Sequence, residues 1–224
     1  EFDLNGYLVL KNIIPKNIIK KANSLLQKFE TSKPSQLPKN VSFGKNYNKK
    51  DVYISNILEA DKVFEKFAYP PIIMKLLKRY TANFFRLNHT VAMIKRSKGT
   101  YTYLHMGNVP VHPKVFYLVK NKEIFSNVTK VVFPLCNNSQ LDGGFAAIPG
   151  SHKSNFLRPH DNNPKNNGLL KYVEAGPGDD PAPPAPTTIL YEPGFGFTGW
   201  DEIYLTTPAP PPPALTCPPP PPPP

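Results

Sequence analysis

The spacing of apolar residues changes near residue 84, and this change constrains the fold more than any other feature of the chain. Before this point apolar side chains recur at helical spacing, whereas beyond it they alternate with polar ones or form short runs. The first pattern predicts amphipathic helices and the second predicts strands. Helices followed by many short strands indicate an α+β chain whose C-terminal part is a sandwich or open barrel.

The first 80 residues are predicted to contain one strand and three helices. Residues 6–10 form the strand, and Pro15 begins the first helix, because a proline loses no hydrogen bond in a first helical turn. After a polar loop at 31–50, further helices are predicted at 60–68 and after Pro70 and Pro71. The apolar stripe of the first helix consists of Ile18, Ile19, Ala22, Leu25, Leu26 and Phe29.

The strand-rich part begins with a regular alternation. Phe85, Leu87, His89, Val91 and Met93 alternate with mostly polar residues, which predicts a half-buried strand. Further β runs are predicted at 115–119, 124–135, 145–148, 169–173 and 188–191, where Gly, Pro and Asn clusters separate them.

The composition of the chain changes again near its end. Of 29 prolines, 18 lie from Pro177 onward, and no Lys or Arg follows Lys171. This stretch is either a polyproline-type tail or a segment in which Pro and Ala stand for side chains that were not identified. We therefore divide the chain into 1–80, 81–207 (with the sequence uncertain after 176) and 208–224, which is a Pro-rich tail or unassigned residues.

Charge and composition exclude several classes of protein. The 27 Lys and Arg residues outnumber the 16 acids, but the lysines lie among asparagines without an Arg-aromatic stripe, which favours a solvated basic surface over a nucleic-acid partner. No apolar run reaches the roughly 18 residues of a membrane span. Two cysteines exclude a disulfide framework and a cysteine zinc site. Four Asn-x-Ser/Thr triplets do not establish secretion and leave an intracellular location open. The chain begins at Glu1, so we expect a processed or truncated piece.

Two of the five histidines have informative surroundings. His105 ends an aromatic-rich strand, and His152 follows a Pro-Gly turn. His89 is expected in the core, while His112 and His160 lie beside prolines in polar loops and are expected at the surface.

The chain resembles the phytanoyl-CoA dioxygenase family of non-haem Fe(II)- and 2-oxoglutarate-dependent oxygenases. The most specific likeness is the segment 143–153, which ends in Pro-Gly-Ser-His-Lys, and Leu104-His105 is similar to the strand that carries the family's first metal ligand. The segments 5–10, 53–60 (with Pro70-Pro71) and 188–195 resemble the family's opening, its second helical block and a late strand.

The resemblance implies a double-stranded β-helix (a jelly-roll, cupin-like fold) with N-terminal helices packed on it. Two histidines and a carboxylate would hold Fe(II), leaving positions for 2-oxoglutarate and oxygen. His105 is the metal ligand that the likeness assigns, and His152 belongs to a structural turn beside the site. The implied activity is hydroxylation of a small organic or acyl substrate.

The sequence departs from the family pattern at the metal site. The family motif is His-x-Asp, whereas here Gly107 follows His105 and Met106, as in related oxygenases that place a halide on the iron. The distal His and the Arg that binds 2-oxoglutarate are expected within 178–189, where this sequence has neither. The catalytic residues and the 2-oxoglutarate ligand therefore stay unassigned. Three hypotheses remain: an active oxygenase, a catalytically inactive family member acting as a binding or assembly component, and a Pro-rich interaction module.

Overall fold

The computed structural model describes residues 1–44, 51–81, 83, 85–87, 89–95, 117–126, 128–136, 145–153, 170–172, 187–191 and 203–207. Its helices are α1 (Phe2–Asn5), α2 (Lys16–Glu30), α3 (Lys62–Ala68) and α4 (Pro71–Tyr80), with single 3₁₀ turns at Pro34–Gln36, Ile57–Glu59 and Ser151–Lys153. Its strands are β1 (Tyr7–Lys11), β2 (Ser42–Phe43), β3 (Asp51–Ser55), β4 (Val91–Lys95), β5 (Tyr117–Lys120), β6 (Glu123–Ser126), β7 (Lys130–Pro134), β8 (Ala146–Ala147), β9 (Lys171–Tyr172), β10 (Thr187–Tyr191) and β11 (Ile203–Thr207).

The helices form where the apolar spacing predicted them. Pro15 precedes α2, and the buried residues of that helix fall on the predicted stripe. Helix α3 begins after Asp61, whose carboxylate accepts a hydrogen bond from the Val63 N–H at 2.8 Å and so caps the first turn. Pro71 opens α4. Among the described residues, no helix combines the length and the apolar character that crossing a bilayer would require.

A mixed sheet organises the described strands. Seven of them lie in the order β1-β10-β7-β11-β4-β3-β2. Pairing is antiparallel except at β11, which runs parallel to both β7 and β4. The β5–β6 hairpin and the β8–β9 pair stand as separate two-stranded units. The hairpin turns at Asn121 and Lys122, whose φ angles of 53° and 66° suit a tight turn between twisted strands.

The helices cover one face of this sheet. Alternate residues of its central strands belong to one core cluster with the helices, among them Ile54, Ala92, Ile94, Val131 and Phe133. Because successive side chains of a strand point to opposite faces, the intervening residues belong to the other face. The α+β fold class is thereby confirmed, with helices on one side of the sheet.

Three local predictions were wrong. The strand predicted from residue 85 begins only at Val91, and Phe85 and Leu87 are 37% and 53% exposed. Strand β4 is buried on both faces rather than half-buried, because Ala92 and Ile94 belong to the core that the helices cover and Val91 and Met93 on the opposite face are buried as well. The segment that resembled a helical block begins with strand β3 (Asp51–Ser55), where Val52 and Ile54 alternate into the core.

The first two segments of the chain build one sheet together. Strand β1 pairs with β10, and β3 pairs with β4, so strands from 1–80 are hydrogen-bonded to strands from 81–207. The segment boundaries stay a prediction, and 208–224 lies outside the described residues.

Candidate functional site

The Pro-Gly-Ser-His-Lys segment packs against the start of the chain. Gly150 adopts φ +79° in the turn, and its N–H donates to the carbonyl of Asn5 at 3.0 Å. Beyond the turn, Ser151–Lys153 forms a 3₁₀ turn in which His152 is only 6% exposed. The segment that carries the family likeness is therefore joined to the N-terminal helix.

His152 is the buried centre of this junction. Its Nε2 lies 3.1 Å from the carbonyl oxygen of Asp3, so Nε2 carries the proton and donates. The ring meets the ring of Tyr117 edge to face, with centroids 4.5 Å apart and planes at 78°. Within the described part of the chain, the buried Nδ1 has no hydrogen-bond partner. It faces Gly6, where a Cβ atom would lie 2.5 Å from Nδ1.

Asp3 ties three elements together at the rim of the junction. Its carboxylate accepts a hydrogen bond from the Tyr117 hydroxyl at 2.9 Å and forms an ion pair with the Lys153 ammonium at 2.9 Å. The hydrogen bond from Lys153 is the main cause that lowers the pKa of Asp3 below its usual range. Helix α1, strand β5 and the Pro-Gly turn thus meet at the carboxylate of Asp3. We call Asp3, His152 and Gly6 together the N-terminal junction.

The junction lowers the pKa of His152 and covers both of its ring nitrogens. Burial, and then the positive charge of Lys153, lower the pKa of His152. Because Nε2 is bonded to a carbonyl and Nδ1 packs against Gly6, neither nitrogen is open to a metal ion. These contacts support the turn-stabilising role over a ligand role for His152.

Two further basic residues lie at the start of strand β7 and just before strand β4. Lys130 begins β7 and is 1% exposed, and His89 lies just before β4. Burial and then the charge of Lys130 lower the pKa of His89. His89 was expected in the core, but its side chain is only half-buried. Lys130 was missed in the sequence, although a lysine directly before Val-Val-Phe in a buried strand was a visible signal.

The predicted metal ligand His105 lies outside the described residues, as do His112, His160 and Gly107. Among the described residues, no three His, Cys, Asp or Glu side chains are grouped as a metal centre requires. His152 and His89 therefore do not form a metal site with described neighbours.

A family model described as "Phytanoyl-CoA dioxygenase (PhyH)" matches residues 2–187, which is most of the chain. The chain belongs to the phytanoyl-CoA dioxygenase family. The match spans the N-terminal junction, the seven-stranded sheet as far as the start of β10, and the segment with His105. The family resemblance found in the sequence is thereby confirmed. No curated protein sequence matches this family member significantly.

Solved structures of HygX from Streptomyces hygroscopicus share the fold of this phytanoyl-CoA dioxygenase family member. The HygX structure with nickel and 2-oxoglutarate bound is 16% identical, covers 87% of this chain and 76% of HygX, and has a TM-score of 0.65. A second structure, with hygromycin B also bound, aligns equally well. The iron-bound structure gives a TM-score of 0.59 at the same identity, with 75% of HygX covered. Iron and 2-oxoglutarate, which the sequence resemblance implied, are both found in HygX structures.

Proposed function

We propose that the chain is an Fe(II)- and 2-oxoglutarate-dependent oxygenase that hydroxylates a small organic or acyl substrate. The observation that carries this proposal is the family match over residues 2–187. It is supported by a fold shared over 87% of the chain with a protein crystallised with metal and 2-oxoglutarate. Residues 1–80 would supply the N-terminal strand and helices, and 81–207 the core of a double-stranded β-helix.

In this proposal His105 is a ligand of the iron. A neutral imidazole suits Fe(II), and the remaining ligands would come from parts of the chain outside the described residues. Iron and 2-oxoglutarate, when bound, supply the oxidising chemistry, and the protein binds and orients the substrate. Val91, Met93 and Val132 form a buried apolar patch on the sheet face opposite the helices, and such a patch supports binding of an organic substrate.

The proposal is tested by metal-dependent thermal stability of the full chain. A ligand that binds only the folded state, present at 100 times its dissociation constant, stabilises by about 2.7 kcal/mol. For a domain of this size, that free energy raises the melting temperature by about 5–10 °C. We expect such a rise with Fe(II) and 2-oxoglutarate under anaerobic conditions.

His105→Ala should remove this rise, and His112→Ala serves as the matched control because His112 is predicted at the surface. The rise should persist in the control. A wild-type chain that shows no rise with Fe(II), alone or with 2-oxoglutarate, would contradict the proposal and favour the catalytically inactive binding component.

A further inference from the structure

The N-terminal junction buries a group that can take up a second proton near neutral pH. His152 is 6% exposed, and its Nε2 already donates to the carbonyl of Asp3 at 3.1 Å. Its Nδ1 is buried and has no hydrogen-bond partner among the described residues. Histidine is the side chain whose ordinary pKa lies between pH 5 and 8, so Nδ1 is the atom of this junction on which a change of pH can act.

No described group is placed to accept a hydrogen bond from a proton bound at Nδ1. A Cβ atom at Gly6 would lie 2.5 Å from Nδ1, so the backbone of Gly6 closes over this nitrogen. An Nδ1–H group would therefore be a buried donor without a described acceptor, on a ring that has also become a cation. Both changes cost free energy, because a buried unpaired donor and a buried charge lose their hydration.

The groups around the ring oppose the second proton on balance. Helix α1 contributes the Asp3 carboxylate, strand β5 contributes the uncharged ring and hydroxyl of Tyr117, and the turn itself contributes the Lys153 ammonium. Burial, and then the charge of Lys153, lower the pKa of His152 and outweigh the carbonyl and carboxylate of Asp3, which act in the other direction. The Asp3 carboxylate is already bound by Tyr117 and Lys153, so it compensates a new charge only weakly.

The two sides of the junction are held unequally. On the N-terminal side, the Phe2 ring is 3% exposed and stacks on Tyr80 of α4 at a centroid distance of 4.1 Å. Strand β1 begins directly after Gly6 and pairs with β10. On the other side, the 3₁₀ turn Ser151–Lys153 follows β8, whose described partner is the two-residue strand β9 outside the large sheet. When the junction is released, we therefore expect the turn to move rather than α1.

We propose that the N-terminal junction is an acid-sensitive latch, in which a second proton on His152 releases the turn Ser151–Lys153 from helix α1 while the large sheet stays folded. The released contacts are the hydrogen bond from the His152 ring to the Asp3 carbonyl and the one from the Gly150 N–H to the Asn5 carbonyl at 3.0 Å. In the open state water can hydrate the imidazolium, which removes both costs. The contacts of the latch include no metal or co-substrate, so this inference goes beyond the proposed function and does not depend on it.

The pH range of opening follows from the two states of the ring. In the closed state the pKa of His152 lies below its ordinary value of 6.5, whereas a hydrated ring in the open state has the ordinary value. The open state therefore binds the proton more readily, and acid shifts the equilibrium toward it below pH 6.5. Because one proton changes an equilibrium by at most tenfold per pH unit, the opening constant should rise by up to about 10-fold between pH 7.5 and 5.5.

Native-state hydrogen–deuterium exchange of the full chain, read by mass spectrometry of peptides, tests the latch. Exchange is measured at pH 7.5 and 5.5 in several urea concentrations below the unfolding transition, and each rate is compared with that of the same peptide in the unfolded chain. In wild type, the protection of the amides of 150–153 should fall by up to about 10-fold at pH 5.5. Low urea should leave it unchanged, because a local opening exposes little surface. Peptides of α2 and β3 should be better protected and should lose protection as urea rises.

Two variants identify the titrating group. His152→Gln keeps a side-chain N–H that can donate to the Asp3 carbonyl but takes up no proton in this range, so its protection should be the same at both pH values. Asp3→Asn is the control for the neighbouring carboxylate and should retain the loss of protection at pH 5.5. The wild-type and Asp3→Asn results test the latch even if His152→Gln does not fold.

Unchanged protection of 150–153 in wild type would overturn the latch, as would a pH-dependent loss that survives in His152→Gln or disappears in Asp3→Asn. Equal protection and equal urea dependence in the peptides of 150–153, α2 and β3 would also overturn it, because the turn would then open only when the whole chain unfolds.

Discussion

The most specific structural prediction concerns Gly6 in the N-terminal junction. Gly6 has φ +79°, and a Cβ atom at this position would lie 2.5 Å from Nδ1 and 2.8 Å from Cγ of His152. Gly6→Ala therefore meets two separate costs. A side chain in the left-handed region costs roughly 1–2 kcal/mol. Forcing a methyl group against a buried ring costs a further 1–3 kcal/mol or so.

The His152 ring cannot easily yield to that methyl group. It is bonded to the Asp3 carbonyl, packed against Tyr117 and 6% exposed. We expect Gly6→Ala to lower the free energy of unfolding by about 2–5 kcal/mol, the sum of the two costs. Urea denaturation followed by circular dichroism measures this loss.

Gly150 supplies a matched control for the backbone cost. It has the same φ of +79°, but a Cβ atom there would lie 3.6 Å from the Leu4 carbonyl oxygen, an ordinary contact. Gly150→Ala should cost only about 1–2 kcal/mol. In a His152→Ala background, the stability cost of Gly6→Ala should fall to that of Gly150→Ala, because the ring that the added methyl group would contact is absent. If Gly6→Ala cost no more than Gly150→Ala, the close packing of Gly6 on His152 would be refuted.

Three smaller predictions follow from the same contacts. Because the folded protein lowers the pKa of His152, the unfolded chain binds the proton more readily, and the free energy of unfolding should fall as the pH drops below the ordinary pKa of 6.5. Urea midpoints measured at pH 7.5 and 5.5 should show a larger loss of stability in wild type than in His152→Gln. Asp3→Asn should cost less than about 1 kcal/mol in urea denaturation, because its ion pair with Lys153 is half-exposed, and a larger loss would show that the junction is more cooperative than its contacts indicate. Asp61→Ala removes the hydrogen bond to the Val63 N–H and should lower the unfolding free energy by about 1 kcal/mol, whereas Asp61→Asn, which can still cap, should lose less.

The helical part of the fold could be predicted because its signals are local. Proline at a helix start and an apolar stripe at helical spacing depend only on neighbouring residues, and α2 and α4 formed where these signals lie. Strand β11 was not predicted, although its residues Ile203–Thr207 are mostly β-branched or aromatic, as is typical of strands. It is parallel to both neighbours, and such pairing is decided by distant parts of the chain.

The strand near residue 90 shows how tertiary context overrides a local pattern. Alternation of apolar and polar residues predicted one exposed face, yet Ala92 at 0% exposure and Met93 at 8% are both buried. A central strand covered on both faces leaves no polar side for alternation to mark. The exposed Phe85 and Leu87 belonged to the same pattern and lie outside the sheet.

The candidate site was predictable only as far as the family motif reached. The motif identified the Pro-Gly-Ser-His-Lys segment, and its structural role agrees with the contacts of His152. The motif gave no information on the hydrogen bond from Tyr117 to Asp3, because that contact depends on packing between distant segments of the chain. Lys130 was missed although its place directly before Val-Val-Phe was visible, and its burial depends on what covers its face of the sheet.

The central claim is that His105 helps to hold an Fe(II) ion that also binds 2-oxoglutarate. The most direct measurement is an anaerobic titration of Fe(II) into the full chain with 2-oxoglutarate, followed by the visible charge-transfer absorption of an Fe(II)–2-oxo acid chelate. We predict a saturable band at one equivalent of Fe(II) in wild type and in His112→Ala, and its loss in His105→Ala. A band of equal intensity in His105→Ala, or none in wild type, would contradict the account.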